Sequence, residues 1–331
     1  MDAIDITIPA GTSESTSEEH DNEWLITLRF VVIGIGIMLN VGVTAVFLYI
    51  KMYKKSLLHG LIFQQSVVDL FGCCAFLFFY NQDAPDGTEG RVFCKARALY
   101  WFMAHTSIYN LVMITVERYI AVVHPIMYRN RNIARRSCLF YLIPYIISFL
   151  ISFHLVIIAD VDKQHPGECR YSKAVSLPSG ILAFLLIFFL PACFMIYCYC
   201  RMVLQIRRRS RENLQLNPGY NKRPYVSIRR NLVFTMLIVV VVFIITTAPN
   251  TIMYLIYNIC HCFNFSTIIE HEFTVLLSTC NMCVNPIVYG AKMEDFKHGV
   301  RKIWRQILHL HGAGDDLSAV QTSQHFSNAS V

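Results

Sequence analysis

Apolar residues gather along the chain in seven stretches, about 26–50, 57–80, 97–121, 138–160, 178–203, 232–257 and 270–291, separated by short polar or charged segments. A bilayer core of roughly 30 Å takes about 20 apolar residues of helix per crossing, and each stretch has that length. In lipid every backbone polar group must be satisfied within the protein, which runs this long and this apolar achieve as helices. The pattern predicts an all-α membrane protein, a seven-transmembrane helix bundle over 26–291. The stretch 294–308 differs: Phe296, Val300, Ile303, Trp304, Ile307 and Leu308 share one face, with Lys297, Arg301, Lys302 and Arg305 elsewhere. That is a short amphipathic eighth helix on the membrane surface, too short and too charged to span. A surface helix of a soluble domain is the alternative, disfavoured by its place directly after a span. Residues 1–25 hold seven acids, no Lys or Arg and no apolar run, so they read as a flexible tail and not as a cleavable signal peptide. The Ser-, His- and Gln-rich segment 309–331 reads as a second tail.

Composition agrees. Of 331 residues, 55% are hydrophobic and 15% charged, and the mean hydropathy is +0.44. Soluble chains carry about 25% charge, so an ordinary cytosolic enzyme is excluded. The formal charge of +7 suggests nucleic acid only until the charges are placed. With the N-terminus outside, 22 of the 29 Lys and Arg fall on the cytoplasmic side, as the positive-inside rule requires. The basic excess is thus a topology signal, and no nucleic-acid partner is expected. Fifteen of the 22 acids lie outside, giving an outer face that weakly favours cationic ligands or is simply an acidic solvated rim. The third loop, with Arg207, Arg208, Arg209, Arg229 and Arg230, suits anionic lipid or an inner partner, or serves topology alone.

Several polar groups lie at membrane depth, where ionisable side chains are costly and point to function. Asp69 is near the middle of the second stretch, with Asn40, Ser107, Asn281 and Asn285 at comparable depth in the first, third and seventh. Asn281, Asn285 and Tyr289 recur every four residues and share a helix face. A carboxylate among neutral oxygens suits a small hard cation such as sodium; an interhelical hydrogen-bond network is the other reading, and the two are compatible. Pro144, Pro191, Pro249 and Pro286 each interrupt a span, freeing a carbonyl and offering a bend. The third stretch ends in Glu117-Arg118-Tyr119, either a snorkelling border or an ion pair that holds a closed inner mouth.

Together these residues resemble the rhodopsin-like (class A) G-protein-coupled receptors over about 26–308. Asn40, then Asp69 in Ser66-Val67-Val68-Asp69-Leu70, match the first- and second-helix positions. Glu117-Arg118-Tyr119 matches the D/E-R-Y triplet, and Pro191 with Tyr199 the fifth-helix pair. Phe243 and Pro249 match the sixth helix, and Asn285-Pro286-Ile287-Val288-Tyr289 is a full N-P-x-x-Y motif followed by Phe296 at the eighth helix. The resemblance implies a disulfide between Cys94 and Cys169 on the oxidising side. Asn264-Phe265-Ser266 is an outward-facing glycosylation sequon. Cys260-His261-Cys262 fits a further disulfide or a metal, and the remaining cysteines read as small buried hydrophobes.

The departures from the family pattern narrow the ligand. Thr247 stands where the sixth helix usually has Trp, the fourth helix lacks its Trp, Arg229 replaces a common acid, and Cys94 to Arg118 is one residue short. Restraint of Arg118 must therefore come mainly from Glu117, and basal activity is expected. The retinal-bearing Lys position is Thr279, and the upper third helix reads Tyr100-Trp101-Phe102 without a carboxylate; light sensing and amine binding are not expected. A peptide or small-molecule ligand remains, met by Tyr100, Trp101, Thr247, Glu270 and Glu272, with Glu168 and Asp160 nearby. The resemblance implies a plasma-membrane receptor in which ligand, bending at Pro249 and release of Arg118 open the inner mouth to a heterotrimeric G protein, and arrestin is a further partner. No catalytic pair stands out and no cofactor is expected beyond an allosteric sodium. A pump, channel or transporter lacks its charged path or repeat; a non-signalling scavenger is the alternative.

Overall fold

The computed structural model describes residues 14–129, 137–162, 167–171, 176–216, 223–260, 269–292 and 296–306. Seven long helices, α1–α7, build the bundle: Glu14–Tyr49, Leu57–Tyr80, Ala98–Val123, Ser137–Ile158, an interrupted α5, Arg223–Cys260 and Ile269–Lys292. α5 runs as Ser176–Ala183, a π-helical stretch Phe184–Phe189, then Leu190–Leu216. The surface helix α8 covers 296–306. Asn264 and the segment 309–331 lie outside the described residues, as does the Tyr289 side chain.

Five of the helices are long and apolar enough to cross a membrane by length and composition; α3 and α7 are not among them. The reason is chemical: α3 carries His105, Ser107, Asn110 and Glu117, and α7 carries Asn281 and Asn285, all buried. Their polar groups face protein, which a hydropathy average cannot register. Lipid-facing side chains show the complementary pattern, with Met38, Leu150 and Ile157 all exposed. Exposed apolar area on this scale is stable only against lipid.

Three boundaries lie well outside the expected spans: α5 runs on to Leu216, α6 begins at Arg223, and α1 starts early. α1 begins at Glu14, inside the segment read as a tail. α2 starts at an N-cap, where Ser56 Oγ accepts from the His59 N–H at 3.4 Å, satisfying one of the donors a helix start leaves over.

At the outer end a short helix, Gly87–Ala96, leads into α3, and strands β1 (Ala159–Val161) and β2 (Cys169–Tyr171) pair antiparallel. The Cys94–Cys169 disulfide ties that hairpin to the top of α3. Two apolar clusters fill the bundle: one towards α8, with Phe47, Ile62, Met195 and Phe243, and one towards the hairpin, with Ile33, Phe76, Tyr100 and Leu276. Asp69, Ser107 and Asn285 fall between them along their own helices, so a polar layer separates two apolar ones.

Candidate functional site in the bundle core and inner mouth

The polar layer is a closed hydrogen-bond cluster. Asp69 is fully buried. Its Oδ1 accepts from Ser107 Oγ at 2.6 Å and Gln65 Nε2 at 2.9 Å. Its Oδ2 accepts from Asn285 Nδ2 at 2.9 Å and again from Gln65 Nε2 at 3.0 Å. Gln65 Nε2 also donates to Ser107 Oγ at 2.7 Å. The structure thus brings Asp69, Ser107 and Asn285 together, with Gln65 as an additional member. Asn281 is buried nearby on α7, and its Oδ1 has no hydrogen-bond partner. Gln65 was legible, since Gln and Asp four apart on a helix face pair directly, but the apolar reading of α2 passed over it.

The prolines explain two further polar residues. Pro286 has no N–H, so the Met282 carbonyl four residues earlier loses its helical donor. Asn40 Nδ2 on α1 supplies one at 3.1 Å. In α5 the π register joins Leu190 N–H to the Leu185 carbonyl, five residues back. The next donor in that series would be Pro191, which has none, leaving the Leu186 carbonyl open. Tyr109 on α3 donates to it at 2.7 Å. Asn40 and Tyr109 are therefore the interhelical groups that make Pro286 and Pro191 tolerable.

At the inner end of α3, Glu117 and Arg118 form a bidentate pair, Arg118 NH2 donating to Oε1 at 2.7 Å while Nε donates to Oε2. The Glu117 side chain is fully buried. Tyr128, on the short helix Pro125–Arg129 after α3, adds a donor to Glu117 Oε1 at 2.6 Å. Burial, followed by that bond, pushes the Tyr128 hydroxyl up to about 12, keeping it protonated. Glu117 is the residue that pairs with Arg118; Tyr128 was not foreseen, because the five-residue helix Pro125–Arg129 that carries it is too short to show a period. Tyr199 is buried and its hydroxyl meets Thr115 Oγ1 at 3.0 Å. Phe243 is fully buried, 6.2 Å from the Phe188 ring, less than two turns before Pro249 inside α6.

The outer end revises the ligand-facing set. Glu272 is ion-paired with Arg29, a buried α1 residue that also donates to the Tyr80 carbonyl at 3.0 Å. That carboxylate holds α1 to α7 and is no longer a free acid on the rim. Tyr100 is fully buried, its hydroxyl 2.7 Å from Thr279 Oγ1 and its ring against Phe76, Tyr80 and Trp101. It belongs to the outer core; Trp101 beside it is half-buried. Thr247 is buried and its Oγ1 has no hydrogen-bond partner. Asp160 pairs with Arg91 at 3.3 Å, whereas Glu270 is exposed and Glu168 Oε2 is buried without a hydrogen-bond partner. Between α4, α5 and α6, His154 Nε2, Ser179 and Tyr254 form a chain of 3.0 Å contacts. Cys260 is disulfide-bonded, which disfavours a metal at that position.

A seven-helix bundle with a disulfide-tied outer hairpin, a buried polar layer and an inner Glu–Arg pair defines a membrane receptor. Residues 39–289 match the family of seven-transmembrane receptors of the rhodopsin family, and the chain belongs to that family. It is similar to rat somatostatin receptor type 1, 27% identical over 208 residues, 60% of this chain and 50% of that one. It is similar also to rat somatostatin receptor type 4, 28% identical over 227 residues, 65% of this chain and 55% of that one. The chain spans about half the length of the curated relatives it matches. The family is one of receptors, not enzymes, and the protein is a multi-pass membrane protein.

Proposed function

We propose that the protein converts binding of an extracellular peptide into activation of a heterotrimeric G protein, from the plasma membrane, with its N-terminus outside. The observation that carries this reading is the inner end of α3. Arg118 is held by a buried neighbour, Glu117, whose charge is shared with Tyr128. An arginine satisfied by an adjacent side chain is one a partner can take over, and its release is the local event of a two-state change. Pro191, Pro249 and Pro286 supply the bends, and Tyr199 exchanges its Thr115 contact as α6 moves outward about Pro249. By linkage, G protein tightens the agonist as much as agonist tightens G protein. Arrestin competes for the same inner mouth.

Peptide is favoured over other ligands by two supports. Relatives are named for somatostatin, and Glu168 and Glu270 remain to meet a basic ligand after Glu272 is committed to Arg29. Trp101 offers a cation an aromatic face. Inner-leaflet lipid meets a cavity of about 410 Å3 lined by Lys51, Lys54, Lys55 and His298, where basic groups attract anionic headgroups.

The test is nucleotide exchange on G proteins of each class, with cells expressing wild type or Arg118→Ala at equal surface density and exposed to a basic-peptide panel. Exchange that depends on receptor and changes in Arg118→Ala is expected. Binding of a peptide with no exchange in any class would instead establish a scavenger.

A further inference from the structure

The sequence suggested a sodium ion at Asp69, but the donors around that carboxylate leave a cation no vacancy. A carboxylate offers about four lone-pair sites on its two oxygens. Here three donor groups cover them: Ser107 on Oδ1, Asn285 on Oδ2, and one Gln65 N–H shared between both oxygens while its other N–H goes to Ser107. A hard cation takes oxygen lone pairs, so it must break at least one of these bonds before gaining any of its own. Ser107 is committed too, donating to Asp69 and accepting from Gln65.

The orientation of the Gln65 amide decides the matter, since its oxygen turned towards Asp69 would call for a cation between them. That orientation is fixed from outside. Asn110 Nδ2 donates to the main-chain carbonyl of Leu61 at 2.9 Å, which only the amino end of the Asn110 amide can do. The same nitrogen donates to Gln65 Oε1 at 2.8 Å. Gln65 must then present its amino group to Asp69. The order runs from a backbone carbonyl through Asn110 to Gln65 to the carboxylate, each step setting the next.

We propose that Gln65, oriented by Asn110, fills the cation's place in the polar layer, so that Asp69 is satisfied by the chain itself and the receptor is insensitive to sodium. The two residues are positioning groups for the α2–α3–α7 contact. The inference is independent of the ligand and of G-protein coupling, because its readout is stability.

The experiment is thermal unfolding of the purified full-length receptor in equal concentrations of sodium, potassium and choline chloride. A ligand that binds only the folded state raises the transition with the logarithm of its concentration. Wild type is expected to unfold at one temperature in all three salts. Gln65→Ala vacates the place and is expected to acquire a sodium-specific rise that the added Asp69→Asn change abolishes. Asn110→Leu, which frees the Gln65 amide to rotate, is expected to acquire it as well. A sodium-specific rise in wild type would overturn the proposal, and so would a folded Gln65→Ala protein without one. If Gln65→Ala does not fold, the wild-type comparison and Asn110→Leu decide.

Discussion

At the residue scale the proposed inner switch rests on a single buried carboxylate with three donor contacts, two from Arg118 and one from Tyr128. Tyr128, outside the Glu117-Arg118-Tyr119 triplet, bears on the proposed closed state because its bond helps keep the buried Glu117 carboxylate ionised and in place to pair with Arg118. A hydrogen bond to a charged group contributes about 1.5–3 kcal/mol, and one or two kcal/mol moves a two-state ratio roughly 5- to 30-fold. Tyr128→Phe removes that donor while keeping the ring, and is expected to raise ligand-free nucleotide exchange severalfold at equal surface expression. Exchange at or below the wild-type level would show that the bond does not hold the closed state. Arg29 is the outer counterpart: its guanidinium commits Glu272, which the charge pattern alone had left free for a ligand. Glu168→Gln, by contrast, is expected to weaken binding of a basic peptide by about tenfold, the fold-change that 1.4 kcal/mol represents; unchanged saturation binding would return Glu168 to the solvated rim.

At the element scale the sequence made the helices plain and hid what joins them. Seven apolar stretches located α1–α7, and the alternation of Phe296, Val300 and Trp304 with basic residues located α8. The prolines were visible as breaks. Asn40 stood out at membrane depth, but neither its pairing with Pro286 nor that of Tyr109 with Pro191 was visible, because a freed carbonyl is answered by whichever helix packs nearest, and packing is a property of the bundle. The π stretch in α5 was hidden for a similar reason: Phe184–Phe189 is uniformly apolar, so its period cannot be read. Asp69, Ser107 and Asn285 were legible because polar groups at membrane depth stand out, whereas Gln65 is only one turn from Asp69 and needed the pairing rule to be noticed. Close approach adds a limit of its own. A Cβ on Gly36 would lie 2.3 Å from Cys283 Sγ, so α1 and α7 meet there only through glycine. Removing the Tyr109 hydroxyl tests the element argument directly. Polar contacts between membrane helices average about 0.6 kcal/mol and reach about 1.7. Tyr109→Phe, which leaves the Leu186 carbonyl unanswered, is expected near the upper figure, lowering the unfolding midpoint of the purified receptor. A midpoint unchanged from wild type would mean that the π stretch satisfies Leu186 by another route.

At the scale of the whole molecule two independent chemical signals support the proposed orientation, and they sit at opposite ends of the bundle. The Cys94–Cys169 disulfide and the β1–β2 hairpin mark one end, and a disulfide persists on the oxidising side of a membrane. The other end carries Lys51, Lys54, Lys55 and α8, which is tied back to α1 where Tyr49 donates to Gln306. Basic residues near span ends are retained on the cytoplasmic side. Neither signal depends on the other, since one is redox chemistry and the other is charge, yet both favour the proposed placement of α8 inside and the start of α1 outside. The Arg29–Glu272 pair closes the outer end between α1 and α7 while the Glu117–Arg118–Tyr128 group closes the inner end on α3, with the polar layer between them. In the proposed reading, a ligand acting from outside reaches the inner group through helices that are braced at both ends. This layout predicts that an epitope fused to the N-terminus is stained by antibody on intact cells, and that one fused to the C-terminus is stained only after permeabilisation. C-terminal staining of intact cells would invert the topology, placing the disulfide on the reducing side and Arg118 outside. In that event the proposed coupling to a cytoplasmic G protein would fail together with the charge argument.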